Sequence, residues 1–569
     1  MKIIVIISIL LLLGLLIYNK HKPHILFALV GIFYFLIGYI DYKEYFIGFT
    51  NSALITLVLL MVASIAIEKT SFIDYCSKKI FSKSYKLSIL KLGLISCFFS
   101  AFLNNTAVVA SLMGVIKQNK FHSASKLLMP LSFFALAGGT LTLIGTSTNM
   151  VVNSFVIENK LESLKMFDFF IVGLGICIAI TVVLMFFSFL LPDYKNDFDE
   201  IKDYIINTKV VSGSSLINKS VKENKLKQLQ YLFLVEIKRK NRIISPVSND
   251  EIILEDDELI FSGDIQYISI LSNFNGLKLC ENVELNKLNL VEVVISNQSS
   301  LIGKSVKEVS FRAKFDAAII CYKRANESIK KIGECVICAG DSLILSVGSD
   351  FASRDNKGKN FHIISKMYNP KFNTKQSFII LSSFVSVILL NVFNCIDIVK
   401  GLLLLLMFYI GAKYINIDEI RRRIPLDIII IIGSSLAITR VLISSGVAAD
   451  FANLIVNTFG VFGNYGALVG VYLMTLLLTE LITNNAAAAL SFPIAYSSAL
   501  SLGLSPYPFI FIVAYAASAS FMTPFGYQTN LMVSSAGNYK FMDFVKIGWI
   551  ASIAYSLVVL IVTPMVFKF

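Results

Sequence analysis

Long apolar stretches broken by short polar interruptions run over roughly residues 3–191 and again over 377–567, with a polar region of about 180 residues between them. Apolar runs of this length with few charges predict membrane-embedded helices. The first block offers runs at 3–18, 24–40, 52–68, 87–116, 127–154 and 168–191. The second offers 377–395, 397–415, 426–442, 463–500, 508–537 and 547–567. Each block thus reads as three ordinary spans, a long interrupted segment, a second interrupted segment and a closing span. The opening run from Lys2 to Lys20 resembles a secretory leader but lacks a small-residue cleavage site, and reads as a retained first span.

The interruptions correspond residue by residue. Asn104-Asn105-Thr106, followed by Ala107-Val108-Val109-Ala110, is echoed by Thr483-Asn484-Asn485, followed by four alanines. The next break, Gly145-Thr146-Ser147-Thr148-Asn149, is echoed by Phe525-Gly526-Tyr527-Gln528-Thr529-Asn530. Asn105 and Asn484 are 379 residues apart, and Asn149 and Asn530 are 381 apart. Two polar breaks at nearly constant offset mark an internal repeat.

Positive charge sets the orientation, because Lys and Arg collect in cytoplasmic loops. Lys69, Lys78, Lys79, Lys83, Lys86 and Lys91 precede the first tip, and Lys117, Lys120 and Lys126 follow it. Both flanks therefore read as cytoplasmic and the segment between them as a re-entrant hairpin. Its legs of about 12–16 residues fall short of the roughly 20 that a spanning helix needs. The flanks of the second hairpin, 443–462 and 501–507, hold no Lys or Arg, while Arg421, Arg422 and Arg423 mark a cytoplasmic loop two elements earlier. That hairpin is expected to enter from outside, so that the halves are inverted.

Composition narrows the class. Hydrophobic residues make up 56% and charged residues 16% of 569, against about 25% charged in a soluble domain. A soluble enzyme, a secreted disulfide scaffold and a disordered regulator are excluded. The net charge of +13 belongs to cytoplasmic loops and implies a lipid bilayer, not nucleic acid, as partner. Cys97, Cys177 and Cys395 lie in apolar runs and read as small hydrophobes. Cys335 and Cys338 have no second pair and read as strand residues. His21, His24, His122 and His362 fall outside every candidate site, and Gly173-Leu174-Gly175 lacks the rest of a dinucleotide motif. No enzymatic chemistry and no cofactor are expected.

The polar middle is itself duplicated. The stretch from Ser214-Ser215-Leu216-Ile217 to Glu223 recurs from Ser299-Ser300-Leu301-Ile302 to Glu308 at an offset of 85, and Asp257 to Gly263 recurs as Asp341 to Gly348. Alternating runs such as 231–237 and 317–322 predict short strands. The expected organisation is an N-terminal transmembrane half (1–194, hairpin 87–118), two small α+β domains (195–285 and 286–375), and a C-terminal half (376–569, hairpin 463–502).

Broken helices survive in hydrocarbon only where they are buried or line a cavity. Their free N–H groups attract anions, and their freed carbonyls with Ser, Thr and Asn oxygens suit a small hard cation. Inverted repeats with paired breaks are the architecture of ion-coupled secondary transporters. Asn105, Thr106, Thr146, Ser147, Thr148 and Asn149 are candidates to frame one half-site, and Asn484, Asn485, Thr523, Thr529 and Asn530 the other. Neither tip holds Lys or Arg, which favours a compact oxyanion or carboxylate. Glu480, four residues before Asn484, is a candidate coupling acid or a carboxylate satisfied by water.

At these residues the chain resembles the divalent anion:Na+ symporter family of the ion transporter superfamily, whose hairpin tips carry Ser-Asn-Thr-type motifs. Neither tip here reads Ser-Asn-Thr, although the central Asn105 and Asn484 are kept. The resemblance implies Asn104, Asn105, Thr106, Thr483, Asn484 and Asn485 as substrate ligands. For sodium it implies Asn105, Gly145, Thr146, Thr148, Asn149, Asn484, Thr523, Gly526, Thr529 and Asn530. The middle region is similar to two TrkA-C (RCK C-terminal) domains through Leu301-Ile302-Gly303-Lys304-Ser305, Phe311-Arg312 and Gly340-Asp341-Ser342-Leu343. Tandem insertion of such domains marks the sulfate-permease-like branch. The implied protein is a homodimeric, elevator-type sodium symporter of a divalent anion, sulfate first. It would lie in the inner membrane with 195–375 cytoplasmic and a small-molecule regulator at the TrkA-C domains. A di- or tricarboxylate symporter of the same fold is the alternative. So is a TrkA-C-regulated potassium transporter or channel, although Phe525-Gly526-Tyr527 is the closest approach to a potassium filter.

Overall fold

The computed structural model describes residues 1–18, 22–70, 76, 80–117, 119, 121–194 and 372–569. In the middle of the chain it describes 205–226, 229, 232–239, 242–244, 247–263, 271, 274–279, 290–296, 299–309, 311–324, 327–328, 335–347, 351 and 360–363. Of the features read above, His21, Lys78, Lys79, Lys120, Gly348 and the expected domain junctions at 195 and 285–286 lie outside the described residues.

The chain is mostly helical. Among the described residues, five helical stretches are long and apolar enough to cross a membrane: Tyr42–Glu68, Thr374–Val392, Leu426–Ser444, Val447–Leu481 and Phe541–Val566. Shorter apolar helices of 10–17 residues accompany them. Helix starts coincide with polar caps: the Asp397 carboxylate accepts from the Val399 and Lys400 amides, and the Asn51 side chain from the Ala53 amide. Large apolar side chains such as Leu11, Ile171, Phe186 and Met407 face outward over the helical part. That is stable only against lipid.

Eight helices carry the breaks. In the first half they are α1 (Tyr85–Ser100), α2 (Asn105–Lys117), α3 (Ser125–Gly139) and α4 (Ser147–Glu158). Their counterparts are α5 (Gly463–Leu481), α6 (Asn484–Ser501), α7 (Tyr507–Ser518) and α8 (Gln528–Ala536). The expected leg length of 12–16 residues holds for α1 and α2, at 16 and 13, but α5 and α6 run 19 and 18. Without flanking charges, hydropathy alone cannot fix the ends of those legs. Three amphipathic helices escaped a search for continuous apolar runs: Tyr42–Ile47, Ile417–Arg423 and Val447–Phe459. The last begins after Gly446, whose φ of +75° lets the chain reverse out of the preceding span.

The middle region forms two five-stranded antiparallel sheets. The first comprises β1 (Ile205–Val210), β2 (Leu232–Arg239), β3 (Arg242–Ile244), β4 (Glu258–Gly263) and β5 (Leu277–Leu279), in the order β3-β2-β4-β1-β5. The second comprises β6 (Leu290–Ile295), β7 (Ala317–Arg324), β8 (Glu327–Ser328), β9 (Ser342–Val347) and β10 (Phe361–Ile363), in the order β10-β6-β9-β7-β8. Read from the other edge, the second order is the first with each strand replaced by its repeat. The bulges agree too, at Leu234/Glu236 and Ile319/Cys321. So do the ion pairs of the buried carboxylates Asp257 and Asp341 with the partly exposed Arg239 and Arg324, with Nε to carboxylate distances of 2.8 and 2.9 Å. Among the described residues the helical share is two turns, Val306–Val309 and Phe311–Phe315, in the second unit.

Cys335 and Cys338 are not strand residues. They flank an isolated bridge between Ser305 and Val336, because the Asp341 carboxylate takes the Cys338 amide at 2.6 Å and so withdraws it from any ladder. Burial pushes both thiols above the ordinary range.

The second sheet docks on the helices. Lys117, at the end of α2, pairs with Glu292 on β6, and Ser535, near the end of α8, donates to the Gly340 carbonyl. Lys126 pairs with Asp193 at 2.8 Å. The basic flank after the first tip therefore lies on the same side as the sheets. His362 on β10 is half-buried, and its buried Nε2 has no hydrogen-bond partner among the described residues. Burial, then the nearby Arg423 guanidinium, push its pKa down to about 4. An unfolded His titrates near 6.5, so protons bind the unfolded chain preferentially between those values and stability falls with falling pH. Between pH 7 and 5 His362 is expected to cost about 2 kcal/mol of the sheet's stability. Thermal unfolding in detergent should show a smaller acid-induced drop for His362→Gln than for the unaltered chain. Equal drops would refute the assignment.

Candidate functional site

Helix α2 starts at Asn105 because the chain cannot continue from α1 through Ala101–Asn104, and the Asn104 side chain caps the new start by accepting from the Thr106 amide at 3.0 Å. Asn105 is 2% exposed. Its Oδ1 accepts from Ser100 Oγ at 2.6 Å, and the same hydroxyl lies 2.7 Å from the Ala135 carbonyl on α3. The second half repeats this bracket. Asn484 Oδ1 accepts from Thr479 Oγ1 at 2.9 Å, and that hydroxyl lies 2.6 Å from the Ala517 carbonyl on α7. In each half a hydroxyl five residues before the Asn ties the break to the neighbouring helix.

The downstream breaks also match. Thr142 Oγ1 accepts from the Gly145 amide and Thr523 Oγ1 from the Gly526 amide, both at 3.1 Å. Asn149 Nδ2 donates to the Thr142 carbonyl at 2.9 Å, and Asn530 Nδ2 donates to the Ser520 and Thr523 carbonyls at 2.8 and 3.2 Å. These side-chain bonds replace the backbone bonds that the helix gives up.

Each tip faces the other half's downstream break. Thr106 Oγ1 reaches Gln528 Oε1 at 3.3 Å, and Asn105 Nδ2 donates to the Tyr527 hydroxyl at 2.9 Å. Reciprocally, Ser147 and Thr148 donate to Asn485 Oδ1 at 3.1 and 3.4 Å. The two breaks of one half and the two of the other thus meet in one polar cluster within apolar helices.

The cluster supplies both kinds of group that an ion pair needs. A Cβ placed on Gly145 would lie 2.6, 2.9 and 3.1 Å from the carbonyl oxygens of Gly139, Ser100 and Ala101. Asn149 Oδ1 is buried without a partner among the described residues. Converging oxygens of this kind suit a hard cation. Ser520 Oγ, also buried and unpartnered, lies with Thr523 Oγ1 around Gly526 in the other half. Donors face the tips: the N-termini of α2 and α6, and the Asn484 amide, which has no partner among the described residues.

Residues 4–504 match the family described as the citrate transporter, CitMHS. The chain belongs to this family. A citrate transporter family member is a membrane transporter, not an enzyme. The chain is 29% identical over 555 residues to an uncharacterized transporter of Synechocystis sp., covering 91% of this chain and 90% of the relative. It is 24% identical over 591 residues to the uncharacterized transporter YfbS of Escherichia coli, covering 96% and 95%. It is also 29% identical to sodium/sulfate cotransporter 1 of Chlamydomonas reinhardtii over 63% of this chain, spanning 43% of that protein.

Not every expected residue faces the cluster of this citrate transporter family member. Thr483 is exposed, at the N-cap position of α6. Thr529 and Asn530 are fully buried, and both accept or share a bond at 2.7 Å with Ser132 of α3, which packs them. Glu480 Oε1 accepts from the Phe521 and Met522 amides at 3.0 Å each, so the carboxylate caps the break between α7 and α8. Ser100, Thr479, Tyr527 and Gln528 belong to the cluster but were not singled out by motif. Aligning the repeat at its 379 offset would have flagged the first two, since both halves carry a hydroxyl there.

Ser100→Ala removes the donor to the buried Asn105 Oδ1 and should cost about 1–3 kcal/mol. The exposed Ser382→Ala should stay within about 0.5 kcal/mol. Thermal midpoints in detergent test this. Equal midpoints for both would show that the bracket does not hold the break.

Proposed function

We propose that this protein is a sodium-coupled symporter of a divalent anion, sulfate first, built from inverted repeats whose two hairpin tips are re-entrant. The observation that carries the proposal is the meeting of both tips with the opposite half's breaks in one cluster, with oxygen cradles beside amide donors. Sodium would enter first, at the Gly145 cradle of Ser100, Ala101 and Gly139 carbonyls with Asn105 and Asn149, and at the Gly526 side with Asn484, Thr523 and Ser520. Its charge makes a neutral, amide-lined site attractive to an anion. The anion would then enter the space between the two tips.

The relatives named sodium/sulfate cotransporters support sulfate and sodium. The family description supports citrate, a tricarboxylate, as the second reading. Movement of the site across the inner membrane would be elevator-like, in a homodimer. The sheets are proposed as two cytoplasmic TrkA-C domains (195–285 and 286–375). They would bias that movement through the Glu292–Lys117 pair and the Gly340–Ser535 contact, which reach the far ends of the two helices that start at the site.

Purified protein in liposomes should accumulate radiolabelled sulfate when an inward Na+ gradient is imposed. Asn105→Ala should lower that uptake by roughly a hundredfold, the scale of losing a buried charge-assisted contact. Uptake driven by a proton gradient without Na+ would overturn the sodium assignment and make Glu480 the coupling acid. Citrate uptake without sulfate uptake would overturn the substrate.

A further inference from the structure

The two half-sites share Asn105/Asn484, Gly145/Gly526, Thr148/Thr529 and Asn149/Asn530, and differ in side-chain size at Thr146/Tyr527 and Ser147/Gln528, of which the first touches the Asn105 amide. Tyr527 stands where the first half has Thr146, at the same 381 offset that relates Asn149 to Asn530. The Tyr527 hydroxyl meets Asn105 Nδ2 at 2.9 Å and also hydrogen-bonds the Thr146 side chain. The repeat-related donor, Asn484 Nδ2, is buried in a residue 4% exposed and has no partner among the described residues. A threonine hydroxyl is too short to do for Asn484 what the phenol does for Asn105. Asn485 Oδ1 is already engaged by Ser147 and Thr148.

A buried amide donor left unpaired costs about 1–3 kcal/mol. An incoming oxyanion oxygen removes that cost, at the N-terminus of the 18-residue helix α6. We propose that the anion docks off-centre against the Asn484 amide, and that the Tyr527 ring fills the equivalent place before Asn105, so that a compact tetrahedral oxyanion is admitted and an extended dicarboxylate refused. This rests on the transport reading above. Replacing Tyr527 with Thr makes the tips equivalent and frees the Asn105 amide. Two donors then face one cavity, an arrangement suited to two carboxylates. Replacing it with Phe removes the hydroxyl but keeps the ring, and so keeps the size limit.

The test compares sulfate and succinate uptake into liposomes for the unaltered protein, Tyr527→Thr and Tyr527→Phe. The sulfate-to-succinate ratio should fall roughly tenfold or more in Tyr527→Thr, the range that pocket-filling differences command, and should hold in Tyr527→Phe whatever happens to the rate. A folded Tyr527→Thr with an unchanged ratio, or an equal fall in Tyr527→Phe, overturns the proposal. Where Tyr527→Thr does not fold, competition on the unaltered protein decides. Selenate should block sulfate uptake and succinate should not; equal block by both overturns the size limit. An unaltered protein that moves neither anion overturns the transport reading as well, whereas sulfate uptake with an unchanged ratio overturns this inference alone.

Discussion

A peptide group in hydrocarbon has no water to turn to, and that constraint governs this molecule. Four times the helical ladder is given up among apolar helices, and four times polar side chains take its place. Ser100 and Thr479 bracket the tips, Asn149 and Asn530 hold the downstream turns, and Thr142 and Thr523 receive the Gly145 and Gly526 amides. Among the described residues, the breaks still hold buried polar atoms without a partner: the Asn484 amide, the Asn149 and Glu480 side-chain oxygens and the Ser520 hydroxyl. Buried polar groups without partners are costly. Those at the breaks are the groups that the proposed ligands would satisfy.

The repeat explains why these groups are organised. Two similar tips each meet the opposite half's downstream break, so donors and oxygens come in pairs, and the proposed site lies at their junction. Departures from the pairing then carry information. Tyr527 facing Thr146 is one. Glu480 is another, since its counterpart in the first half is Ala101. Its carboxylate accepts from two backbone amides, whereas at Ala101 in the other half a backbone carbonyl accepts from the Thr142 hydroxyl.

Much of this was legible in the chain. The apolar runs located the breaks at 101–104 and 482–483 to within a few residues, because loss of helix demands polar side chains there and Asn and Thr are visible against Leu and Ile. The duplicated sheets were legible from a shared ten-residue stretch. Amphipathic helices such as Val447–Phe459 were hidden, since Asp450, Asn453, Asn457 and Thr458 interrupt any continuous apolar run. The pairing of Thr106 with Gln528 and of Ser147 with Asn485 was also hidden, because contacts across more than 330 residues depend on how the halves pack. Nor could the sequence tell that Thr529 and Asn530 spend their oxygens on Ser132.

The central claim is that the two halves build one site, and a double-mutant cycle across their junction tests it most directly. Thr106→Ala, Asn484→Ala and the double variant, on opposite tips with no hydrogen bond between them among the described residues, would be compared by the sulfate KM of sodium-driven uptake. Residues acting on one ligand from opposite halves should be non-additive by about 0.5–3 kcal/mol. Additivity within about 0.3 kcal/mol would mean that the halves bind independently and would contradict the account.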